Sequence, residues 1–146
     1  MYGPYLNSFF TTDPLNTNKL YMHDAGDYTV YYGTAFQGDI TAVTNWEPNV
    51  SKQFEAIQMV TDVTPFRVDF ATKDHTSFLT ESEFTLREDF NYSPIKNNAV
   101  AGVTTGDSSR LRGRYLTTKL TFEQEQAQRL LNYVIKVRVN NRLYNR

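Results

Sequence analysis

The alternation of apolar and polar residues is clearest towards the C-terminal end of the chain, in two segments separated by a polar stretch. A period of two places every second side chain on one face, as in a strand with one buried side. The first face carries Leu116, Thr118, Leu120 and Phe122, and the second carries Leu131, Tyr133, Ile135, Val137 and Val139. We predict two strands that bury their apolar residues in the core. Thr121 and Gln124 fit a capping box for a helix over 122–134, but the alternation through Val139 favours the strand.

Strand-like segments continue upstream of these two. They span residues 39–46, 52–62, 66–71 and 84–87. The spacing in 52–62 fits both a strand and a helix, and the β-branched residues that lead up to Pro65 favour a strand. With six or seven strands about 12–15 residues apart, the chain is expected to be mainly β, as an antiparallel sandwich or a blade-like sheet.

The start of the chain has a different pattern. Residues 1–38 are punctuated by Gly, Pro, Asn and Asp, which predicts an irregular, turn-rich N-terminal segment in which 27–32 fits a short strand. Residues 39–146 are predicted to form the antiparallel β domain. Within that domain, Asn91–Pro94 is expected to end a strand pattern, and 97–109 reads as a polar loop.

The distribution of charge changes the picture that the strands give. The net charge is −1, but residues 1–109 hold 6 basic and 14 acidic residues, whereas 110–146 hold 9 basic and 2 acidic residues. Such a division predicts that the basic end contacts something acidic. The acidic group can belong to nucleic acid, to another subunit or to the first part of the same chain.

The strongest local charge feature is the stretch SRLRGRYLTTKL at 109–120. On an extended backbone Arg110, Arg112 and Arg114 share a face and form a row about 13 Å long. Because Leu116 and Leu120 would continue the arginine face, we predict a bulge or twist near Gly113 that moves the apolar set to the other side. The row suits phosphates, in sequence-independent contact.

The same row also suits carboxylates across an interface between subunits. The acidic residues considered for that role are Glu81, Glu83, Glu88 and Asp89. We favour the protein interface and predict that Lys136 and Arg138 contribute to it with the three arginines. Non-specific contact with DNA phosphates is the secondary role for these five residues.

Catalytic and metal-binding patterns are weak. The chain has no Cys and only two His, without the spacing of a metal site. The stretches His23-Asp24 and 74–77 contain the residue types of a hydrolase triad but no nucleophile elbow. We therefore predict no enzymatic activity, no catalytic residue, no metal and no cofactor. No apolar run approaches the roughly 20 residues of a membrane-spanning helix, so no membrane-spanning segment is expected.

Aromatic residues, 14% of the chain, support one alternative function. Trp46 together with Tyr21, Tyr28, Tyr31 and Tyr32 could stack on sugar rings in a carbohydrate-binding module of a tail spike or fibre. The same side chains are also common fillers of thin β cores and of subunit interfaces.

The order of several motifs resembles a known family. The motifs are NWEPN at 45–49, SKQFEAI at 51–57, the strand at 66–71, REDFNYSPI at 87–95 and LRGRYL at 111–116, followed by a closing strand pair. This order is similar to the C-terminal part of the tail nozzle, or muzzle, proteins of short-tailed bacteriophages, particularly the crAss-like group. The resemblance covers roughly residues 40–146.

The resemblance implies a structural virion protein in the phage tail, assembled in the bacterial host cytoplasm. Nozzle proteins form a ring that closes the tail and lets DNA out, so the implied partners are other tail proteins in a cyclic homo-oligomeric ring around the DNA exit channel. Nozzle proteins are several times longer than this chain. The resemblance therefore also implies a second polypeptide that carries the rest of the nozzle, unless the chain is a small relative.

Overall fold

The computed structural model describes residues 10–13, 15–22, 26–97, 110–123 and 128–139. The chain divides into two compact units. The first is formed by Met1–Gln37 with Gln124–Ala127, and the second by Gly38–Glu123 with Gln128–Arg146.

The first unit contains two small antiparallel pairs of strands. The strands are β1 (Phe10–Asp13), which pairs with β2 (Asn16–Met22), and β3 (Val30–Tyr31), which pairs with β4 (Thr34–Ala35). Tyr32 and Gly33 join the second pair and have positive φ angles of 52° and 76°. Positive φ at both central residues is what a type I′ hairpin turn requires. Short strands and turns thus alternate through the predicted turn-rich segment.

The second unit contains longer strands, and all the pairings between them are antiparallel. The unit also contains one turn of 3-10 helix, Glu81–Glu83, among its described residues. The strands are β5 (Gly38–Thr44), β6 (Lys52–Thr61), β7 (Arg67–Ala71), β8 (Thr76–Thr80), β9 (Thr85–Arg87), β10 (Phe90–Pro94), β11 (Leu111–Gly113), β12 (Leu116–Phe122) and β13 (Leu130–Val139).

These nine strands form two sheets. The four-stranded sheet has the order β5-β12-β7-β8. The five-stranded sheet is built around β6, which pairs with β13 along one edge and with β10 and then β11 along the other, while β9 lies outside β10.

Buried apolar side chains from both sheets form a single core, so the second unit is a β sandwich. The core residues are Phe54, Ile57, Met59, Val68, Phe70, Leu79, Ile95, Leu111, Leu116, Leu120 and Phe122. The prediction of a mainly β, antiparallel fold is confirmed. The strand predicted over 52–62, where a helix was also considered, is β6, the central strand of its sheet.

The predicted core is confirmed for β12 and for the middle of β13, whereas Val139 at the end of β13 is half-buried and is not among the residues that pack against the core. The apolar residues predicted on β12 are buried, and Tyr133, Ile135 and Val137 are partly buried against the core. Leu131, however, is 64% exposed. The prediction was wrong at this position because the register of β13 against β6 shifts between Leu130 and Asn132, and one extra residue turns a side chain to the other face.

The chain passes from one sheet to the other just after β11. Leu111 in β11 and Leu116 in β12 are both buried, although they are five positions apart in the sequence and a regular strand would place them on opposite faces. The predicted change of face near Gly113 is confirmed. A Cβ atom on Gly113 would lie 2.9 Å from Cβ of Thr72, so the crossing point leaves no room for a side chain.

Two other predictions differ from the structure or fall outside its described part. Residues 91–94 were expected to break the strand pattern but belong to β10, in which Pro94 is the last residue and pairs with Ala56. Of the polar loop predicted at 97–109, residues 98–109 lie outside the described residues.

Candidate functional site

The basic residues predicted as an interface lie on or beside the two strands that flank β6 at one end. Arg110 directly precedes β11, Arg112 lies within it and Arg114 follows it, while Lys136 and Arg138 belong to β13. β11 and β13 pair with the same part of β6 from opposite sides. The topology therefore brings residues about 25 positions apart in the sequence to one region of the sheet.

Glu55, on β6, lies at the centre of this region. Its Oε1 accepts a hydrogen bond from Nη1 of Arg110 at 3.2 Å and lies 2.8 Å from Nε of Arg138. Nζ of Lys136 is 4.0 Å from Oε2. The Glu55 side chain is only 9% exposed, whereas those of Arg110, Lys136 and Arg138 are 38%, 68% and 65% exposed. Three of the five predicted residues thus surround one nearly buried carboxylate.

A β-bulge places Glu55 at this point. Lys136 pairs with Ala56 and Val137 pairs with Phe54, so Glu55 has no residue opposite it in β13. Ala56 and Ile57 are both buried, which shows that the alternation of β6 changes phase just after Glu55. Bulges aim a side chain in a direction that a regular strand does not allow. No periodic pattern in the sequence indicated Glu55, and the one available signal was an acidic residue in the middle of a strand whose neighbouring residues are buried.

The remaining two arginines are placed differently from each other. Arg112 lies opposite Gln53 in β6, and Gln53 lies opposite Arg138 in β13. Directly opposed residues share a face, so Arg112 belongs to the same surface as the Glu55 cluster. Arg114 is exposed and lies beyond the end of β11. The structure therefore brings Arg110 and Arg112 to this surface but does not extend the row to Arg114 within β11.

Charge at this surface is unbalanced. One carboxylate faces three cationic groups, which leaves a surplus of two positive charges in this cluster. Guanidinium groups bind carboxylates and phosphates with two parallel hydrogen bonds. The arrangement can hold an anionic group of a partner molecule.

The outer face of the four-stranded sheet has charged groups that pair with each other. Lys119 Nζ lies 2.8 Å from Asp39 Oδ2, and the hydrogen bond and charge of Asp39 raise the pKa of Lys119. Arg67 lies 2.7 Å from Asp69 and 4.4 Å above the ring of Phe78. The hydrogen bond to Asp69 raises the pKa of Arg67. These one-to-one pairs leave no surplus like that at Glu55.

Four of the aromatic residues named for sugar binding line one cavity of the first unit. The cavity has a volume of about 750 Å³, and its lining includes Tyr21, Tyr28, Tyr31 and Tyr32. Tyr21 and Tyr32 meet edge to face with ring centres 4.9 Å apart. Trp46 is 57% exposed and does not line this cavity.

The residues considered for catalysis do not converge in the described part of the chain. His75 is exposed in the turn between β7 and β8, where its backbone N–H donates to Oγ1 of Thr72 at 3.1 Å. His23 lies outside the described residues. Among the residues that are described, no group of three or more His, Asp or Glu side chains could hold a metal ion. In that same part of the chain, no helix has the length and apolar character needed to cross a membrane.

No protein-family model matches this chain, and no curated protein matches its sequence. The function is therefore inferred from the motifs and the geometry of the chain itself.

Proposed function

We propose that the chain is a structural subunit of a bacteriophage tail. In this role it is a component of the nozzle and assembles with other tail subunits around the channel through which DNA leaves. The sequence motifs that resemble nozzle proteins support the proposal, and so does the way in which the second unit exposes its apolar residues.

Large apolar side chains of this unit are exposed mainly at the edges of its sheets. Of the inner strands, β6, β7 and β12 expose none, and β10 exposes only Phe90, its first residue. Natural monomers usually protect sheet edges with charges or proline, or cover them. Exposed apolar side chains at the edges therefore indicate contact with further protein. The edge residues are Ile40 and Val43 on β5, Phe78 on β8, Leu86 on β9, and Leu131 and Val134 on β13, with exposed fractions of 37–69%.

The basic surface beside Glu55 adds a specific attraction to this apolar contact. Its surplus positive charge suits the carboxylates of a neighbouring tail protein, and the minor role is contact with DNA phosphates in the channel. Surplus charge at the rim of an interface raises the rate and selectivity of association more than the affinity.

The first test is to look for the chain in virus particles and in complexes with tail proteins. We expect mass spectrometry to detect it in purified particles of the phage that encodes it, and immunogold electron microscopy to label the tail tip. Light scattering of the purified chain mixed with the neighbouring virion proteins is expected to show a defined complex. Absence from the particles, with no complex formed, would contradict the proposal.

Two variants show whether the sheet edges form this contact. Val43→Lys places a charge on the exposed edge strand β5 and is expected to weaken the complex with tail proteins. Gln58→Lys places the same charge on the exposed side of the central strand β6 and serves as the control. Equal complexes for both variants would show that this edge does not take part.

A second candidate function is carbohydrate binding by the first unit. The observation that favours it is the cavity lined by four tyrosines together with Asp27, because sugar-binding sites combine aromatic stacking surfaces with a few polar groups. A glycan array is expected to identify a ligand whose binding is lost in Tyr28→Ala and kept in Trp46→Ala. An array without any bound glycan would exclude this candidate.

A further inference from the structure

Among the described residues, the five-stranded sheet has an open edge at β13 on one side and open edges at β9 and the short β11 on the other. β13 pairs only with β6, and β9 pairs only with β10, among the strands of the described residues. An open edge exposes backbone N–H and C=O groups that can pair with another strand. The β13 and β9 edges each have an exposed apolar side chain at the middle, Val134 at 49% on β13 and Leu86 at 69% on β9.

The directions of the strands make these two edges compatible with each other. The neighbours β13, β6, β10 and β9 alternate in direction, because each adjacent pair is antiparallel. β13 and β9 therefore run in opposite directions. A second copy moved sideways along the sheet, with its core on the same side, brings its β9 antiparallel to β13 of the first copy. Antiparallel pairing is the type that every strand pair of this unit already uses.

The two edges also carry opposite charge. The segment 128–139, which contains β13, has three basic residues and no acidic one, whereas the segment 81–89, which contains β9, has four acidic residues and one basic residue. Internal pairs neutralise part of each set, through Glu55 on the basic side and through Lys96, 3.3 Å from Glu83, on the acidic side. The basic residues are Arg129, Lys136 and Arg138, and the acidic residues are Glu81, Glu83, Glu88 and Asp89.

A register that joins the exposed apolar residues also joins the charges. With Leu86 opposite Val134 in antiparallel strands, the residues that precede Leu86 face those that follow Val134. Glu81–Glu83 then lies towards Lys136 and Arg138. At the other end, Glu88 and Asp89 lie towards Arg129.

We propose that the partner of the β13 edge is the β9 edge of a second copy of this chain, so that the copies join head to tail into one continuous sheet. This inference rests on the proposed assembly function and names one of its contacts. A heterologous contact of this kind closes into a ring or grows into a filament, depending on the rotation between copies. The symmetric alternative, β13 against β13, brings two basic strands together with no acidic segment between them.

Two edge variants test the proposal by analytical ultracentrifugation of the full chain. Leu86→Lys blocks the β9 edge and Val134→Lys blocks the β13 edge, because an exposed lysine on an edge strand opposes further pairing. The wild type is expected to form species larger than one chain of 16.9 kDa, and each variant alone is expected to be a monomer. An equal mixture of the two variants should form a dimer and nothing larger, since only one intact edge of each kind is present. Gln58→Lys, on the exposed side of the central strand β6, should keep the wild-type distribution.

Three results would overturn the proposal. They are a wild type that stays monomeric, a mixture of the variants that stays monomeric, and association that is lost in Val134→Lys but kept in Leu86→Lys, which identifies the symmetric contact. Circular dichroism shows that each variant keeps its β signature, so that a loss of association is not a loss of folding. If the wild type is monomeric but is still found in purified tails, the edge contact is wrong and the proposed assembly function stands. If the chain forms head-to-tail dimers but is absent from the particles, the proposed tail function is wrong and the edge contact stands.

Discussion

Replacing Glu55 by glutamine tests whether the carboxylate at the bulge holds the five-stranded sheet together. The change keeps the size of the side chain and removes one negative charge. In the wild type, Glu55 accepts a hydrogen bond from Arg110 and has Arg138 and Lys136 at 2.8 and 4.0 Å. In the variant, three cations surround a neutral amide, so we expect lost attraction and new repulsion between β11 and β13.

The expected loss of stability depends on the burial of the Glu55 carboxylate and on the solvent exposure of its basic partners. A hydrogen bond to a charged group contributes about 1.5–3 kcal/mol, and breaking a fully buried ion pair costs about 3–5 kcal/mol. Glu55 is nearly buried, but two of its three partners are more than 60% exposed, and solvent screens such partners. We therefore expect a loss of about 2 kcal/mol, which lowers the melting temperature of a unit of this size by roughly 10 °C.

The assay is urea unfolding followed by circular dichroism at low and high NaCl. Salt at about 1 M shortens the Debye length to roughly 3 Å, so it should stabilise Glu55→Gln by screening the three cations, and it should not stabilise the wild type. Asp39→Asn is the matched control, because it breaks an ion pair of 2.8 Å whose two side chains are 46% and 51% exposed. Such a pair contributes at most about 1 kcal/mol. A loss in Glu55→Gln no greater than in the control, or a variant that salt destabilises, would refute the reasoning.

Three further changes act on the packing and the buried polar groups, and unfolding measurements check each of them. Gly113→Ala should cost about 1–3 kcal/mol by overpacking against Thr72, whereas Gly38→Ala, with no atom within 4 Å of the added Cβ, should change stability by less than about 0.5 kcal/mol. Thr118→Val should stabilise the chain by about 1 kcal/mol, because the Thr118 hydroxyl is buried without a hydrogen-bond partner among the described residues. Burial lowers the pKa of Lys52 below its ordinary value of 10.5, although the negative charge of Glu47 acts in the opposite direction. Unfolding then takes up protons between the lowered pKa and 10.5, so stability should rise with pH through that window in the wild type and rise less in Lys52→Met.

The sequence predicted best those strands whose burial follows a period of two. β7 and β12 bury alternate residues along their whole length, so the local pattern and the final environment agree. β10 was missed because its Pro94 resembles a strand breaker, although proline fits at the end of a strand. Leu131 was misplaced because a bulge in β13, set by pairing with β6, decides its face. Register depends on a partner strand that local periodicity does not include.

The candidate site was predictable only in part for the same physical reason. The basic residues could be named from their charge and spacing, but the group that organises them could not. Glu55 meets Arg110 and Arg138 only because β6 lies between β11 and β13. The contact joins residues that are far apart in the sequence, and it depends on a bulge. Neither the long-range contact nor the bulge produces a periodic pattern in the sequence.

The acidic first part and the basic last part of the chain neutralise each other in part within one molecule. Only the charge that is left unneutralised is available for contacts with partner molecules. In the described part of the chain, basic residues after position 109 pair with acidic residues before it at two places, Lys119 with Asp39 and the three-cation cluster with Glu55. The second place uses one carboxylate for three cations, so it stays positive. One acidic surplus lies around β9, at the opposite edge of the same sheet. Because two complementary surpluses on opposite edges of one sheet cannot meet within a single sandwich, they can neutralise each other only between molecules.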